Sequence, residues 1–142
     1  MSINTNTIER PELAVDIILP VKANAVIEAG EFVVCVIGEG YAREGDTLNG
    51  SYMGIAQESV DATGLSDGDL KIRVKRPRIF KALSFLVAPN VINIGSFALL
   101  HGKTNIDVET DLTAAAASLQ KYIGKIVGID ENTGQYVISA GF

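Results

Sequence analysis

The chain carries two copies of one strand-and-turn pattern. The segment Val26–Val34 reappears in similar form as Val91–Leu99, with a glycine at the same position of each copy. An aromatic residue, an apolar residue and a glycine then follow in each, as Tyr52–Gly54 in the first copy and Tyr122–Gly124 in the second. Such self-similarity predicts an architecture made by duplication of one β-unit, because each copy repeats the same supersecondary element. The predicted repeats span residues 24–64 and 89–134.

Short β-branched and apolar runs alternate with glycine-containing turns along most of the chain, which is typical of β-sandwiches and barrels. The predicted strands are Leu13–Leu19, Phe32–Ile37, Tyr52–Val60, Leu70–Val74, Ile79–Val87, Ile94–Leu100 and Gln135–Ser139. One short helix is predicted over Leu112–Gln120, since this run is rich in alanine and Asp111 can cap its start. The sequence therefore predicts an all-β protein, a compact barrel or sandwich of two related β-units with one short helix.

The first twelve residues differ from the rest in composition. They are polar, rich in Asn and Thr, and close with Arg10-Pro11. We predict that residues 1–12 form an extended arm and that residues 13–142 form a single β-rich domain, for which 47% hydrophobic residues suffice to fill a core. The arm is either a frayed terminus or a segment that a neighbouring subunit orders.

Charge and hydropathy exclude several classes of partner. A net charge of −5 argues against a general nucleic-acid binder, which is usually basic over its domain. No apolar run approaches the roughly 18 residues that span a bilayer. The start of the chain lacks the basic and apolar stretches of a secretion signal, so we expect synthesis in a cytoplasm.

Groups suited to catalysis are few. The one histidine, His101, stands in an apparent hairpin turn, and the one cysteine, Cys35, stands in an apolar run that predicts a buried structural thiol. The acidic loop Asp61–Asp69 lacks the ligand spacing of a calcium loop, so turn formation explains it better. An acid pair such as Glu58 and Asp61 is the weakest alternative, since turn carboxylates usually cap or face water. We predict no enzyme activity, no metal and no cofactor.

The basic segment Lys71–Arg78 is the best candidate for partner recognition. It holds five of the twelve Lys and Arg residues of an acidic chain. Lys71, Arg73 and Lys75 alternate with apolar residues and should share one face of a strand. The charges either protect an exposed strand edge, or only solvate a surface, or form an electrostatic patch that docks on an acidic protein surface.

Several segments together resemble the capsid decoration, or cement, proteins of tailed bacteriophages. Leu19–Gly30 is similar to the opening strand and turn of that family, Tyr52–Asp61 and Ser66–Arg76 to its middle, and Gly124–Asp130 to its C-terminal part. The resemblance runs from about Leu19 onward and leaves out the N-terminal arm. The chain departs from the pattern between Phe80 and Leu112, so nothing carries over to the His101 turn.

This resemblance implies a small β-rich virion protein that binds the outer surface of an assembled capsid and bridges subunits of the major capsid protein. It also implies a homo-oligomer, with a trimer favoured, and neither an active site nor a cofactor. The alternative that we retain is a non-enzymatic β-domain that binds a carbohydrate or another ligand. The candidate partner-binding residues are Ser2, Ile3, Asn4, Thr5, Asn6, Thr7, Ile8, Glu9 and Arg10 of the arm, with Lys71, Arg73, Lys75, Arg76 and Arg78.

Overall fold

The computed structural model describes residues 15–82, 84–111, 113 and 121–140. Regular structure in these residues is almost entirely β, which confirms the predicted all-β class. The strands are β1 Val15–Pro20, β2 Val26–Ile27, β3 Phe32–Val36, β4 Ala42–Glu44, β5 Gly50–Ala56, β6 Val60–Asp61, β7 Lys71–Arg76, β8 Ile79–Lys81, β9 Ser84–Phe85, β10 Phe97–His101, β11 Asn105–Glu109, β12 Tyr122–Ile129 and β13 Tyr136–Ala140. A 3-10 turn covers Val91–Asn93. The predicted arm, 1–12, and nearly all of the predicted helix, 112–120, lie outside the described residues.

Two main sheets contain most of the strands. The first has the order β1-β7-β5-β3-β4 and the second the order β8-β13-β12-β10-β11-β9. Neighbouring strands are antiparallel, except for the parallel pair β11 and β9. β2 and β6 form a separate two-stranded ribbon. We call β1–β7 the first unit and β8–β13 the second unit.

The first sheet has an apolar core on each of its faces. Phe32, Val34 and Tyr52 point toward the second sheet and pack with Ile126, Ile138 and other buried residues of that sheet. The residues that alternate with these, among them Val33, point to the opposite face and pack under the ribbon of β2 and β6. Successive side chains of a strand point to opposite faces, and both faces of the first sheet are covered. The sequence of β3 is therefore apolar at every position and does not alternate. The result is a sandwich with a second, smaller core beneath it.

The two units repeat the same strand pairing, down to one irregularity. In the first unit the register between β3 and β5 shifts after Val33, so that Met53 is an extra residue. In the second unit the register between β10 and β12 shifts after Ala98, so that Ile123 is the extra residue. The order β4-β3-β5-β7-β1 in one sheet therefore corresponds to β11-β10-β12-β13-β8 in the other.

The turn that opens each unit is repeated as well. The N–H of Gly30 donates to the carbonyl of Ala56 at 2.8 Å, and the N–H of Gly95 donates to the carbonyl of Ile126 at 2.7 Å. Both glycines have a positive φ, 90° and 96°, which a residue with a side chain rarely adopts. The sequence similarity between the units thus marks positions that the shared backbone geometry requires.

The two units contact each other through different faces. The main core receives Phe32 and Val34 from the first unit but Ala98 from the second. By register, Ala98 corresponds to Val33, which lies in the smaller core on the opposite face of the first sheet. The units are therefore stacked front to back, which means that non-equivalent faces of the two sheets meet in the main core. Equivalent surfaces of the two units thus have different surroundings.

Candidate partner-binding surface

Alternation along β7 places three basic side chains on one exposed face. Ile72 and Val74 are fully buried in the smaller core. The intervening Lys71 and Arg73 are exposed and Lys75 is partly exposed, as the sequence predicted. We call Lys71, Arg73 and Lys75 the basic face. Because the buried neighbours hold β7 in place, these cations are presented from a rigid element.

The position of β7 contradicts the edge-protection interpretation of these charges. β7 lies inside the first sheet, between β1 and β5. Lys75 is paired with Ile55, whose side chain packs against the main core. The basic face therefore lies on the same side of the first sheet as the main core, in a part of that side that the second sheet does not cover. Charges on an inner strand cannot shield a free edge.

The neighbouring strand β1 completes this surface. Ile18 is directly opposite Arg73 and is 65% exposed, so an apolar side chain lies within the basic face. Asp16 is opposite Lys75, with 3.9 Å between its Oδ1 and the Lys75 Nζ. No sequence pattern indicates a surface role for Ile18, since the apolar run around it is also what a core strand requires.

Arg76 and Arg78 do not belong to the basic face. The Arg76 guanidinium lies 5.3 Å from the centre of the Tyr52 ring, a cation–π contact at the margin of the main core. Burial raises the pKa of Tyr52 to about 12, although the charge of Arg76 acts in the opposite direction. Arg78 is exposed in the link between the sheets, and its carbonyl accepts a hydrogen bond from the N–H of Ala140 at 2.7 Å. Arg76 is therefore expected to contribute more to stability than to binding.

The candidate residues Ser2–Arg10 lie outside the described residues. β1 begins at Val15, which is paired with Arg76. The described chain thus enters the first sheet beside Arg76, the residue after Lys75 of the basic face. The arm precedes β1 in the sequence, and β1 is the strand that pairs with β7.

His101 ends β10 and is exposed next to the turn that leads into β11, as predicted. It lines a cavity of about 300 Å³ together with Asp46, Thr47 and Lys121. No aromatic platform is among the lining residues that the structure describes. Cys35 is half-buried, and burial followed by the nearby Glu39 raises the pKa of its thiol. A raised pKa favours the unreactive thiol form.

The carboxylates of the acidic loop each have a protein partner. Asp61 accepts a hydrogen bond from the Thr63 N–H at 2.9 Å, and Asp69 accepts one from the Ser66 N–H at 2.9 Å. Asp67 binds the Ala23 N–H at 2.9 Å and the Lys22 ammonium at 3.1 Å. Within the described ranges, no three His, Cys, Asp or Glu side chains are grouped as metal ligands. The contacts of Asp61 and Asp69 are those of turn-forming residues, whereas Asp67 connects the loop to Lys22 and Ala23.

Glu58, the other member of the acid pair considered above, is also engaged. Its Oε2 accepts a hydrogen bond from the backbone N–H of Arg73 at 2.8 Å. The carboxylate thus binds the backbone of β7 at the basic face. This bond adds to the two residue pairs by which β5 and β7 are joined.

The largest shift of a carboxyl pKa belongs to Asp130 and has a structural cause. The Lys81 ammonium binds its Oδ2, and the N–H groups of Asn132 and Thr133 bind its Oδ1, which together lower the pKa of Asp130 to about 2. The hydrogen bond from Lys81 lowers this pKa the most. The pair connects β8 with the turn after β12 in the second unit.

We expect this pair to stabilise the fold at neutral pH and to weaken in acid. Because the folded pKa is depressed, its contribution is complete above the ordinary carboxyl range near 4 and disappears as the pH falls through about 2. Replacing Lys81 with Met should raise the pKa of Asp130 toward the ordinary range. A carboxyl-carbon NMR titration of Asp130 measures both values, and an unchanged pKa in K81M would contradict the assignment of Lys81 as the main cause.

Comparison with protein-family models, with curated proteins and with solved structures found no match to this chain. No helix among the described residues has the length and apolar character needed to cross a membrane.

Proposed function

We propose that this protein binds the outer surface of an assembled phage capsid and stabilises the shell by bridging subunits of the major capsid protein. The observation that carries this proposal is the basic face on an inner, rigid strand, in a chain whose net charge is −5. The segments that resemble phage decoration proteins support the same conclusion. The proposed location is the capsid surface of the virion after synthesis in the host cytoplasm, with no contact to the packaged nucleic acid.

Rigid presentation makes such a surface effective. Lys71 and Arg73 extend from a strand whose alternate residues are fully buried, so little backbone freedom is lost on binding. Ile18 provides apolar area between the charges. Cations around an apolar centre fit a partner surface with carboxylates around an apolar residue. The proposed acidic partner surface belongs to the major capsid protein.

The proposed stabilisation is a linkage effect. A protein that binds the expanded shell and not its precursor shifts the equilibrium toward the expanded state by mass action. A homo-oligomer, with a trimer favoured, can contact two or three capsid subunits at once, so that weak individual contacts give tight attachment. Neither a cofactor nor a reactive group is needed for this role.

Neutralising the basic face should weaken attachment and reduce its salt dependence. We expect the triple variant K71S/R73S/K75S to bind matured shells at least about tenfold more weakly, because each lost charge removes steering and a polar contact. The slope of attachment against salt concentration should also become shallower. Sedimentation of shells with bound protein, measured over a series of salt concentrations, gives both quantities.

The matched control is K103S/K121S/K125S, which removes three exposed cations elsewhere and gives the same net charge. This control should decorate shells as the unmodified protein does. Equal loss in both triple variants would show that net charge alone matters and would reject the basic face as the binding surface.

A further inference from the structure

The second unit has an apolar surface that none of the residues described by the structure covers. We call it the apolar surface, and its members are Leu86, Val87, Val91, Ile92, Ile94 and Val127. Each of these side chains is at least 41% exposed, and Ile92 reaches 79%. Apolar groups this close together on one surface usually mark a contact site.

Specific hydrogen bonds hold this surface in place. The hydroxyl of Tyr136 donates to the carbonyl of Ala88 at 2.9 Å and accepts from the Asn93 amide at 2.9 Å. The buried Tyr136 side chain thus binds the backbone beside Val87 and the side chain of Asn93, the residue after Ile92. The bond from the Gly95 N–H to the carbonyl of Ile126 brings Ile94 next to Val127. The exposed side chains therefore extend from a fixed backbone.

The internal repeat indicates what such a surface binds. Val91 and Ile92 correspond to Val26 and Ile27 of the first unit, since the turns that follow them are equivalent. In the first unit these residues form β2, and Ile27 is fully buried. β2 pairs antiparallel with β6. Ile27 is thus buried in a paired strand of the first unit, whereas its counterpart Ile92 lies in the 3-10 turn of the second unit and is exposed.

A difference in one connection explains why the second unit has no covering strand. The connection between β5 and β7 spans residues 57–70 and contains β6. The equivalent connection between β12 and β13 spans only residues 130–135 and forms a turn around Asp130. The described residues of the second unit therefore contain no strand equivalent to β6.

The N-terminal arm has the composition of such a strand. It contains the β-branched series Ile3, Thr5, Thr7 and Ile8 and no charged residue before Glu9. Fourteen residues precede Val15, a length that spans about 45 to 50 Å when extended, more than the expected diameter of the domain. The arm is therefore long enough to reach a neighbouring molecule.

We propose that the apolar surface receives the N-terminal arm of a second copy of this chain, with Ile3 or Ile8 covering Ile92. The arm would take the place that β6 occupies in the first unit. This inference rests on the proposed homo-oligomer and gives it a physical basis. Its test needs no capsid, so its failure is distinct from failure of the capsid-binding proposal.

Light scattering after size exclusion, over a range of protein concentrations, tests the assembly. We expect the full chain to form an oligomer. The variant lacking residues 2–10 and the variant I92N should both assemble more weakly, so that the concentration at which they dissociate is at least about tenfold higher than for the full chain. The matched control is I37N, which changes another exposed isoleucine (73% exposed) in the turn after β3. I37N should assemble normally. In the arm-deleted background, where no assembly is expected, thermal melts should be nearly unchanged by either point substitution, since neither side chain is in a core.

Amide NMR of the arm-deleted protein locates the contact. A synthetic peptide of residues 1–12 should shift the resonances of Val91, Ile92 and Val127 and leave those of Val26 and Ile27 unchanged. The proposal is overturned if the arm-deleted protein or I92N assembles as the full chain does, or if the full chain is a monomer at every concentration. It is also overturned if the peptide shifts other residues and leaves Val91, Ile92 and Val127 unchanged.

Discussion

G124A is expected to destabilise the fold by about 3 kcal/mol or more. Gly124 lies on β12 beside β13, and a Cβ built there would overlap the backbone carbonyl of Ser139 and approach the Cα of Ala140 to 2.8 Å. Backbone atoms of a paired strand cannot move aside as the end of a flexible side chain can. The clash must therefore open the β12–β13 ladder, which carries Ile126 and Ile138 into the main core.

G128A is the matched control on the same strand, since a Cβ at Gly128 has no atom within 4 Å. Urea unfolding should show G128A close to the unmodified protein and G124A with a much lower midpoint at the same m value. Equal stabilities for the two variants would contradict the close approach of β12 to β13.

Y136F is expected to cost about 2 to 3 kcal/mol, the second large effect. The hydroxyl of the fully buried Tyr136 donates to the carbonyl of Ala88 and accepts from the side-chain amide of Asn93, so its removal breaks both bonds and leaves the buried Asn93 side chain unsatisfied. Because these bonds also fix the apolar surface, exposure of residues 86–94 to hydrogen exchange should increase.

Y52F is the matched control for loss of a buried hydroxyl. The Tyr52 hydroxyl is buried and has no hydrogen-bond partner in the described part of the chain. Its removal should leave the free energy of unfolding unchanged or slightly increased, since no bond is lost and a desolvated polar atom is removed. A cost in Y52F equal to that in Y136F would contradict the hydrogen bonds assigned to Tyr136.

Much of the fold was predictable because the local signals agreed with it. The strand with the clearest alternation, Leu70–Val74, corresponds to β7, with Ile72 and Val74 buried as expected. The repeated glycine of each unit identified turns of equal geometry. These features are local in sequence, so that one chain segment contains the whole signal.

The longest described strand, β12, was not predicted. Gly124 and Gly128 interrupt its apolar pattern, yet Gly124 is required where β12 approaches β13, a long-range contact that no local pattern reveals. The predicted strand Ile79–Val87 is divided into β8 and β9. Val87 follows β9 as an exposed residue, since the repeat is stacked front to back and leaves this region uncovered.

The candidate site was predicted in part. Alternation identified Lys71 and Arg73 as one exposed face, but it could not show that β7 is an inner strand or that Arg76 turns onto Tyr52. Ile18 and Ile92 were not found, because an exposed isoleucine and a core isoleucine have the same local pattern. The arm and the predicted helix lie outside the described residues and stay predictions.

The most direct test is to mix the purified protein with matured and with unmatured capsid shells and to image both by electron cryomicroscopy. We predict added density on the outside of the matured shell, at junctions between major capsid subunits, with the basic face toward the shell. Unmatured shells should remain bare. Equal decoration of both shells would contradict stabilisation of the expanded state, and bare shells in both samples would reject capsid binding altogether.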